Sequence, residues 1–212
     1  RIRQSELPSS VEISLGLWVG QAATPNNLKD AKTALNKLKK GESLNENNPM
    51  QLTRCPWCGT DLSPNDYVIQ QYPSAQMSIR CPTFTCDFHG GIPAHVVDSE
   101  VYAARPSLVI GTVDKFAMMA WRAEAQALFS VDGAHPKPDL IVQDELHLIS
   151  GPLGTMVGLY ETAVDAACRD HDGHRPKLIA STATIRRATA QMSSVFAREA
   201  RQFPPPGLDA DD

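Results

Sequence analysis

The chain contains 212 residues, of which 42% are hydrophobic and 21% charged, and its formal net charge is −4. This composition is typical of one globular domain with at most a small appendage, and it excludes a disordered chain. No apolar run approaches the roughly 18 residues of a membrane span, and the first residues lack the apolar segment of a signal peptide. We therefore expect a cytoplasmic protein without a membrane partner. The acidic average excludes a strongly basic chain but permits a local basic surface.

The first long helix is predicted over residues 26–40. Thr24 is the expected cap, Pro25 suits the first helical position, and Gly41 suits the end. Leu28, Ala31, Leu35 and Leu38 repeat at helical spacing and form the apolar face. Residues 29–40 also contain five lysines and one aspartate. We expect these lysines to form a solvated face, with nucleic-acid contact as the alternative.

Four cysteines occur in two close pairs, Cys55 and Cys58, then Cys81 and Cys86. Two short strands are predicted over residues 67–72 and 77–81, on either side of a turn at residues 73–74. The second strand ends at Cys81. Paired thiolates on a hairpin are typical of a zinc ribbon, in which four sulfurs bind Zn²⁺. A disulfide, unligated thiols, or His89 in place of Cys86 are the alternatives. The metal is expected to be structural, and contact with nucleic acid is a further possibility. Cys168 stands apart on a predicted helix and is expected to be a core residue.

The second half alternates strands with helices. Strands are predicted at residues 107–110, 139–142 and 177–180, and helices at 114–129, 154–169 and 186–200. This alternation predicts an α/β fold with a parallel sheet. Since the strands are continuously apolar, we expect the sheet to be covered on both faces.

Polar residues follow each of these strands, where ligands bind in open α/β sheets. Asp144 is placed to bind Mg²⁺, and Glu145 to orient a water for phosphoryl transfer. His147 could couple the two to a neighbouring element, and residues 181–184 could bond to residues 144–147 as a hydroxyl latch. The structural alternatives are an acidic pair at a helix start and Thr184 as a helix cap.

The segment 144–147 (DELH) resembles the DExH motif II of superfamily 2 helicases. Residues 181–184 (STAT) resemble motif III and residues 111–116 (GTVDKF) resemble motif Ib. Residues 15–20, 143–154 and 203–209 are similar to the helicase of the DISARM anti-phage defence system. The resemblance implies an incomplete RecA-like lobe of the P-loop NTPase fold. Residues 1–48 and 96–202 would form the lobe, 49–95 a zinc-ribbon insertion, and 203–212 a linker toward a second lobe.

The same resemblance implies functional residues and partners. ATP and Mg²⁺ would be bound at Asp144 and Glu145, and DNA is the expected track. Protein partners of a defence complex are also implied. The residues implied in catalysis are Asp144, Glu145, His147, Ser181, Thr182 and Thr184, and those implied in nucleic-acid contact are Gly111, Thr112 and Lys115.

A phosphate-binding loop of the form G-x-x-x-x-G-K-[ST] does not occur in the sequence. ATP hydrolysis and helicase activity are therefore expected of a longer parent protein, and the chain alone is expected to be inactive. The alternative is a zinc-ribbon module that binds nucleic acid or protein and has a degenerate nucleotide site. A zinc hydrolase is disfavoured, because the clustered ligands are cysteines, which form closed structural sites.

Overall fold

The computed structural model of the chain describes residues 13–71, 73–133, 135–148, 151–182, 188–201 and 203. The chain divides into two compact units, residues 1–128 (unit 1) and 129–212 (unit 2). Unit 1 contains β1 (Leu15–Trp18), α1 (Leu28–Lys39), β2 (Tyr67–Gln70), β3 (Gln76–Ile79), β4 (Ala94–His95), α2 (Asp98–Ala104), β5 (Leu108–Gly111) and α3 (Val113–Ala117). Unit 2 contains β6 (Leu140–Gln143), α4 (Gly151–Cys168), β7 (Lys177–Ala180) and α5 (Ala188–Phe196).

Unit 1 has a parallel sheet with the strand order β4-β1-β5. Trp18, at the end of the central strand β1, is fully buried, and its indole N–H donates to the Tyr102 hydroxyl at 2.8 Å. The Phe116 ring packs edge-on against it, with ring centroids 5.2 Å apart. A Cβ at Gly111 would lie 3.3 Å from Trp18 and 3.2 Å from Phe116. A side chain at position 111 would therefore push this aromatic cluster apart.

The cysteine-bearing segment forms the predicted antiparallel hairpin from β2 and β3, with Tyr67 opposite Ile79. Tyr67 is fully buried, and its hydroxyl donates to the Leu52 carbonyl at 2.8 Å. The hairpin shares one hydrophobic core with α1, through Ala31 and Leu35, and with the segment around β4. The metal-binding segment is therefore packed into unit 1 by apolar contacts.

Unit 2 pairs β6 and β7 in parallel, with Leu140 opposite Lys177 and Gln143 opposite Ala180. Val157, Val164 and Cys168 are the buried positions on α4 among its described side chains. The prediction that Cys168 is a core residue is thus confirmed. Met156, one residue before Val157 on the same helix, is 46% exposed.

The predicted α/β class with parallel strands is confirmed, but the expected coverage of both sheet faces is wrong for the described residues. Successive side chains on a strand point to opposite faces, and along β5, β6 and β7 exposed positions alternate with partly buried ones. Each strand therefore has apolar side chains exposed on one of its own faces. They are Leu108 and Ile110 in β5, Leu140 and Val142 in β6, and Ile179 in β7.

Two helix predictions require correction. Helix α1 begins at Leu28, and its cap is Asn27, whose side chain accepts the Asp30 amide at 2.9 Å, whereas Thr24 is buried ahead of the helix. The helix predicted over residues 114–129 ends at Ala117 and continues as 3-10 turns. The Met118 carbonyl accepts both the Trp121 and Arg122 amides at 2.9 Å, the mixed bonding of a tightening helix end.

Within the part of the chain that the structure describes, no helix combines the length and the apolar character needed to cross a bilayer.

Candidate functional site

The four cysteines of the hairpin segment, Cys55, Cys58, Cys81 and Cys86, come together as predicted. Their Sγ atoms all lie within 4.8 Å of one another, with 3.7 Å between Cys55 and Cys86 and 3.5 Å between Cys58 and Cys81. Four sulfurs about 2.3 Å from a tetrahedral Zn²⁺ stand about 3.8 Å apart. The cluster therefore has the donor set and the spacing of a structural zinc site.

Backbone hydrogen bonds hold the two cysteine loops in this arrangement. Gly59 has a φ of +78°, a conformation that favours glycine, and its N–H donates to the Cys55 carbonyl at 2.9 Å. In the second loop the Phe88 N–H donates to the Cys86 sulfur at 3.4 Å. The His89 ring binds the Cys81 carbonyl through Nδ1 at 3.0 Å and does not belong to the sulfur cluster. This geometry favours Cys86 over His89 as the fourth ligand.

The thiols of the cluster differ in acidity. Hydrogen bonds from Thr60, its hydroxyl foremost, lower the pKa of the Cys58 thiol to about 6. Burial raises the pKa of Cys81, and it raises that of Cys86 to about 12. Since zinc binds thiolates, the ion would have to displace the protons of the buried thiols.

The ends of β6 and β7 bring together the two predicted segments of unit 2. The Ser181 hydroxyl donates to Asp144 Oδ1 at 2.7 Å, and the Leu146 N–H donates to the Ser181 carbonyl at 2.9 Å. Leu146 is fully buried and fixes the turn that follows β6. Among residues 181–184, Ser181 therefore makes the predicted contact with the 144–147 segment.

Glu145 has an unusual backbone for a residue with a side chain, with a φ of +52°. Its N–H donates to Asp144 Oδ1 at 3.0 Å, and its carboxylate lies 3.2 Å from His147 Nδ1. Left-handed non-glycine residues cost energy and are concentrated at functional sites. Both Asp144 and Glu145 are exposed, so the two carboxylates of this turn are accessible to a ligand.

Two other predicted residues of unit 2 follow Ser181. Thr182 is partly buried at the end of β7, while Thr184 lies outside the described residues.

The segment predicted to contact nucleic acid follows β5. Thr112 is exposed and precedes α3, and its N–H donates to the Trp18 carbonyl at 3.3 Å. Lys115, in contrast, is only 8% exposed and forms an ion pair with Asp98 and a 3.3 Å hydrogen bond to Asn26. Contact between Lys115 and a phosphate would require this buried pair to open. Sequence reasoning missed Asp98, because nothing in its neighbours Val97 and Ser99 identifies the distant Lys115 as its partner.

A second charged cluster, also missed from the sequence, lies in unit 2 around Asp165 on α4. Burial opposes ionisation of this carboxyl, but hydrogen bonds from three arginines hold its pKa at about 2. The cluster adjoins a cavity of about 250 Å³. Arg175 and Arg198 also donate to the Phe196 and Pro176 carbonyls, so the cluster fastens the end of α5 to α4 and to the start of β7. The three arginines are Arg169, Arg175 and Arg198.

No protein-family model matches the chain. Its sequence is 36% identical over 241 aligned residues to the DISARM protein DrmA of Bacillus paralicheniformis, across 95% of this chain and 22% of DrmA. The chain is a homologue of part of DrmA. The predicted resemblance to a DISARM protein is therefore confirmed, and the chain spans about a fifth of the length of this relative.

Among solved structures, the chain is similar to two crystal structures of the DUF1998 helicase MrfA, one bound to DNA and AMPPNP and one bound to DNA. Each has a TM-score of 0.42 and 17% sequence identity across 89% of this chain. The matched parts are 20% and 19% of the respective MrfA chains.

Proposed function

We propose that this chain is part of the first RecA-like lobe of an ATP-dependent superfamily 2 helicase or translocase. The observation that carries the proposal is the 2.7 Å hydrogen bond from Ser181 to Asp144, which joins the motif II and motif III segments as nucleotide coupling requires. The phosphate-binding loop and the second lobe would belong to other parts of the parent protein. Its expected location is the cytoplasm, where ATP and a nucleic-acid track are available.

Asp144 and Glu145 have distinct proposed roles at the end of β6. Mg²⁺, when bound with ATP, would neutralise part of the phosphate charge. The ion prefers few protein oxygens, and an exposed carboxylate at the end of a strand meets this preference. Asp144 would hold the ion, with Ser181 fixing the orientation of the carboxylate through Oδ1. Glu145 would accept a hydrogen bond from the attacking water and orient it. His147, 3.2 Å from the Glu145 carboxylate, would fix Glu145 in turn.

The proposed nucleic-acid contacts lie at the end of β5. Thr112 is exposed and can donate to a phosphate, and Gly111 permits the close packing that sets the position of this turn. Lys115 would act from beneath the surface, by holding the start of α3 against Asp98. DNA is the proposed track because the resemblance of residues 15–20, 143–154 and 203–209 to the DISARM helicase implies it. Defence proteins that assemble with such a helicase are the proposed partners.

The zinc site is proposed to be structural. Three of its four cysteines are at least 92% buried within the core of unit 1, which is typical of a closed site without an open coordination position.

Hydrolysis of ATP by the full-length protein tests the proposal. Glu145→Gln removes the carboxylate that orients the water but keeps the shape of the side chain. We expect it to lower kcat by about 100-fold or more, with little change in the binding of ATP, since the contact matters most in the transition state. The measurement is steady-state ATP hydrolysis with and without single-stranded DNA.

Asp139→Asn is the matched control, because Asp139 is an exposed acid just before β6, at the opposite end of the strand from Glu145. It should hydrolyse ATP like the wild type. Equal rates for Glu145→Gln and the wild type would refute the catalytic assignment. A wild-type protein that hydrolyses no ATP with any nucleic acid would instead favour the zinc-dependent binding module.

A further inference from the structure

Two large aromatic side chains stand out from the loops that carry the zinc ligands. Trp57, between Cys55 and Cys58, is 45% exposed, and Phe84, between Cys81 and Cys86, is 83% exposed. A 2.9 Å hydrogen bond between the Thr60 and Thr83 hydroxyls joins the two loops. The cysteine cluster therefore presents two aromatic rings from adjacent loops.

Each of these rings is supported by a second ring. Trp57 packs against Phe88 with ring centroids 5.7 Å apart, and Phe84 meets His89 edge-on at 5.2 Å. Such contacts restrict the rings without covering them. Rings that are exposed and already ordered lose little conformational entropy when a flat ligand stacks on them.

A basic helix belongs to the same packed module. The five lysines in residues 29–40 are all exposed, and Asp30 is the single acid within α1. The opposite face of α1 shares its hydrophobic core with the cysteines, and Lys39 Nζ lies 3.5 Å from the Tyr67 carbonyl in β2. The lysine-rich helix and the cysteine loops that carry the aromatic rings thus pack on one hydrophobic core.

We propose that this module binds single-stranded nucleic acid, with bases stacked on Trp57 and Phe84 and the backbone held by the lysines of α1. Stacking on aromatic side chains combined with a basic surface is the usual means of binding single strands without sequence preference. In a duplex the faces of the bases are already stacked, so a single strand fits the rings better. This binding requires no nucleotide hydrolysis and is independent of the proposed motor reaction.

The test measures the affinity of the zinc-loaded chain for a fluorescein-labelled oligothymidine of about 16 nucleotides by fluorescence anisotropy. Trp57→Leu and Phe84→Leu keep an apolar side chain but remove the flat π face. Each should raise Kd by about 5- to 150-fold, whereas Trp57→Phe should retain most of the affinity. Lys32→Ala with Lys37→Ala should also weaken binding and reduce its dependence on salt.

Trp121→Leu is the matched control, since Trp121 is an aromatic side chain of unit 1 that is 84% exposed but lies outside the cysteine loops. It should bind like the wild type. Zinc content and thermal unfolding show whether each variant is folded. A second measurement uses a Trp121→Phe variant, in which Trp57 and the buried Trp18 are the remaining tryptophans. Saturating oligonucleotide should quench the tryptophan fluorescence of this variant.

Three results would overturn the proposal. They are no binding by the zinc-loaded wild type, unchanged affinity in a zinc-loaded Trp57→Leu and Phe84→Leu double variant, and absence of quenching at saturation. Unchanged affinity in that variant would assign the rings to a protein contact instead. ATP hydrolysis and oligonucleotide binding are measured separately. A negative binding result therefore does not affect the motor assignment, and a negative hydrolysis result does not affect the proposed single-strand binding.

Discussion

Glu100 shows how a single residue can make the stability of unit 1 depend on pH. The side chain lies on α2 and accepts a hydrogen bond from the Met77 N–H of β3, and the residue is only 8% exposed. The second carboxylate oxygen, Oε2, is buried without a hydrogen-bond partner among the described residues. Burial raises the pKa of Glu100 from 4.5 to about 7. The ionised form is therefore disfavoured in the folded chain.

The direction of this shift gives a prediction for Glu100→Gln. The folded chain retains a proton that the unfolded chain releases, so the stability contributed by protonated Glu100 is complete below about pH 4.5. It is lost as the pH rises through about 7. Between pH 5 and pH 8 the wild type should lose up to about 3 kcal/mol more stability than Glu100→Gln. Urea unfolding at several pH values measures the difference.

Glu124→Gln, at an exposed acid, is the control and should follow the wild type at every pH. Because the test compares slopes with pH, a constant offset from the new amide does not affect it. Parallel curves for Glu100→Gln and the wild type would contradict the raised pKa.

Single residues were predictable from the sequence where their chemistry is local. The spacing within the two cysteine pairs indicates a metal site, and the hydroxyl of Ser181 lies one strand away from Asp144 in the chain order. Burial is not local. Nothing near Lys115 in the sequence shows that its ammonium is enclosed by residues that precede it by 17 and 89 positions.

At the scale of elements, the buried ion pair between Asp98 and Lys115 links α2 to α3. Asp98 is 4% exposed and Lys115 8% exposed, and burial raises the pKa of Asp98 although the Lys115 ammonium opposes the rise. Loss of one partner from such a pair leaves an uncompensated charge. Asp98→Asn should therefore lower the free energy of unfolding by about 3–5 kcal/mol.

The double variant Asp98→Asn, Lys115→Met separates this charge effect from lost packing. Since it leaves no unpaired ammonium, it should be more stable than Asp98→Asn alone, and denaturant unfolding gives the coupling energy. Asp61→Asn is the control, because the Arg54–Asp61 pair is 75% and 81% exposed and should contribute less than about 1 kcal/mol. If the effects of Asp98→Asn and Lys115→Met on unfolding free energy simply added in the double variant, the link between Asp98 and Lys115 would be contradicted.

Elements with a strong local pattern were predicted well. The strand predicted over residues 177–180 coincides with β7, and the predicted hairpin is formed by β2 and β3. Strand β4 and helix α2 were missed, because two and seven residues are too short to show a period. The start of α1 was misplaced because Thr24 and Asn27 both have capping side chains. Only the structure shows that Asn27 accepts the Asp30 amide.

At the scale of the whole molecule, the zinc site lies in unit 1, whereas unit 2 has buried contacts of its own. Three zinc ligands, Cys55, Cys81 and Cys86, belong to the hydrophobic core that contains α1 and the hairpin in unit 1. The buried positions of α4 and the pairing of β6 with β7 lie in unit 2. Loss of zinc should therefore loosen unit 1 and leave the packing of unit 2 in place.

Hydrogen exchange before and after chelation tests this expectation. The zinc ligands close the long loop between Cys58 and Cys81, and structural zinc binding contributes directly to folding free energy. Chelation, or Cys81→Ser, should increase exchange by at least tenfold in α1 and in β2 and β3, while β6 and β7 keep their protection. Cys168→Ser, at a buried cysteine outside the cluster, should retain zinc and the protection of unit 1. If chelation raised exchange equally in both units, they would unfold together. If it changed neither, the hydrophobic core alone would hold the hairpin.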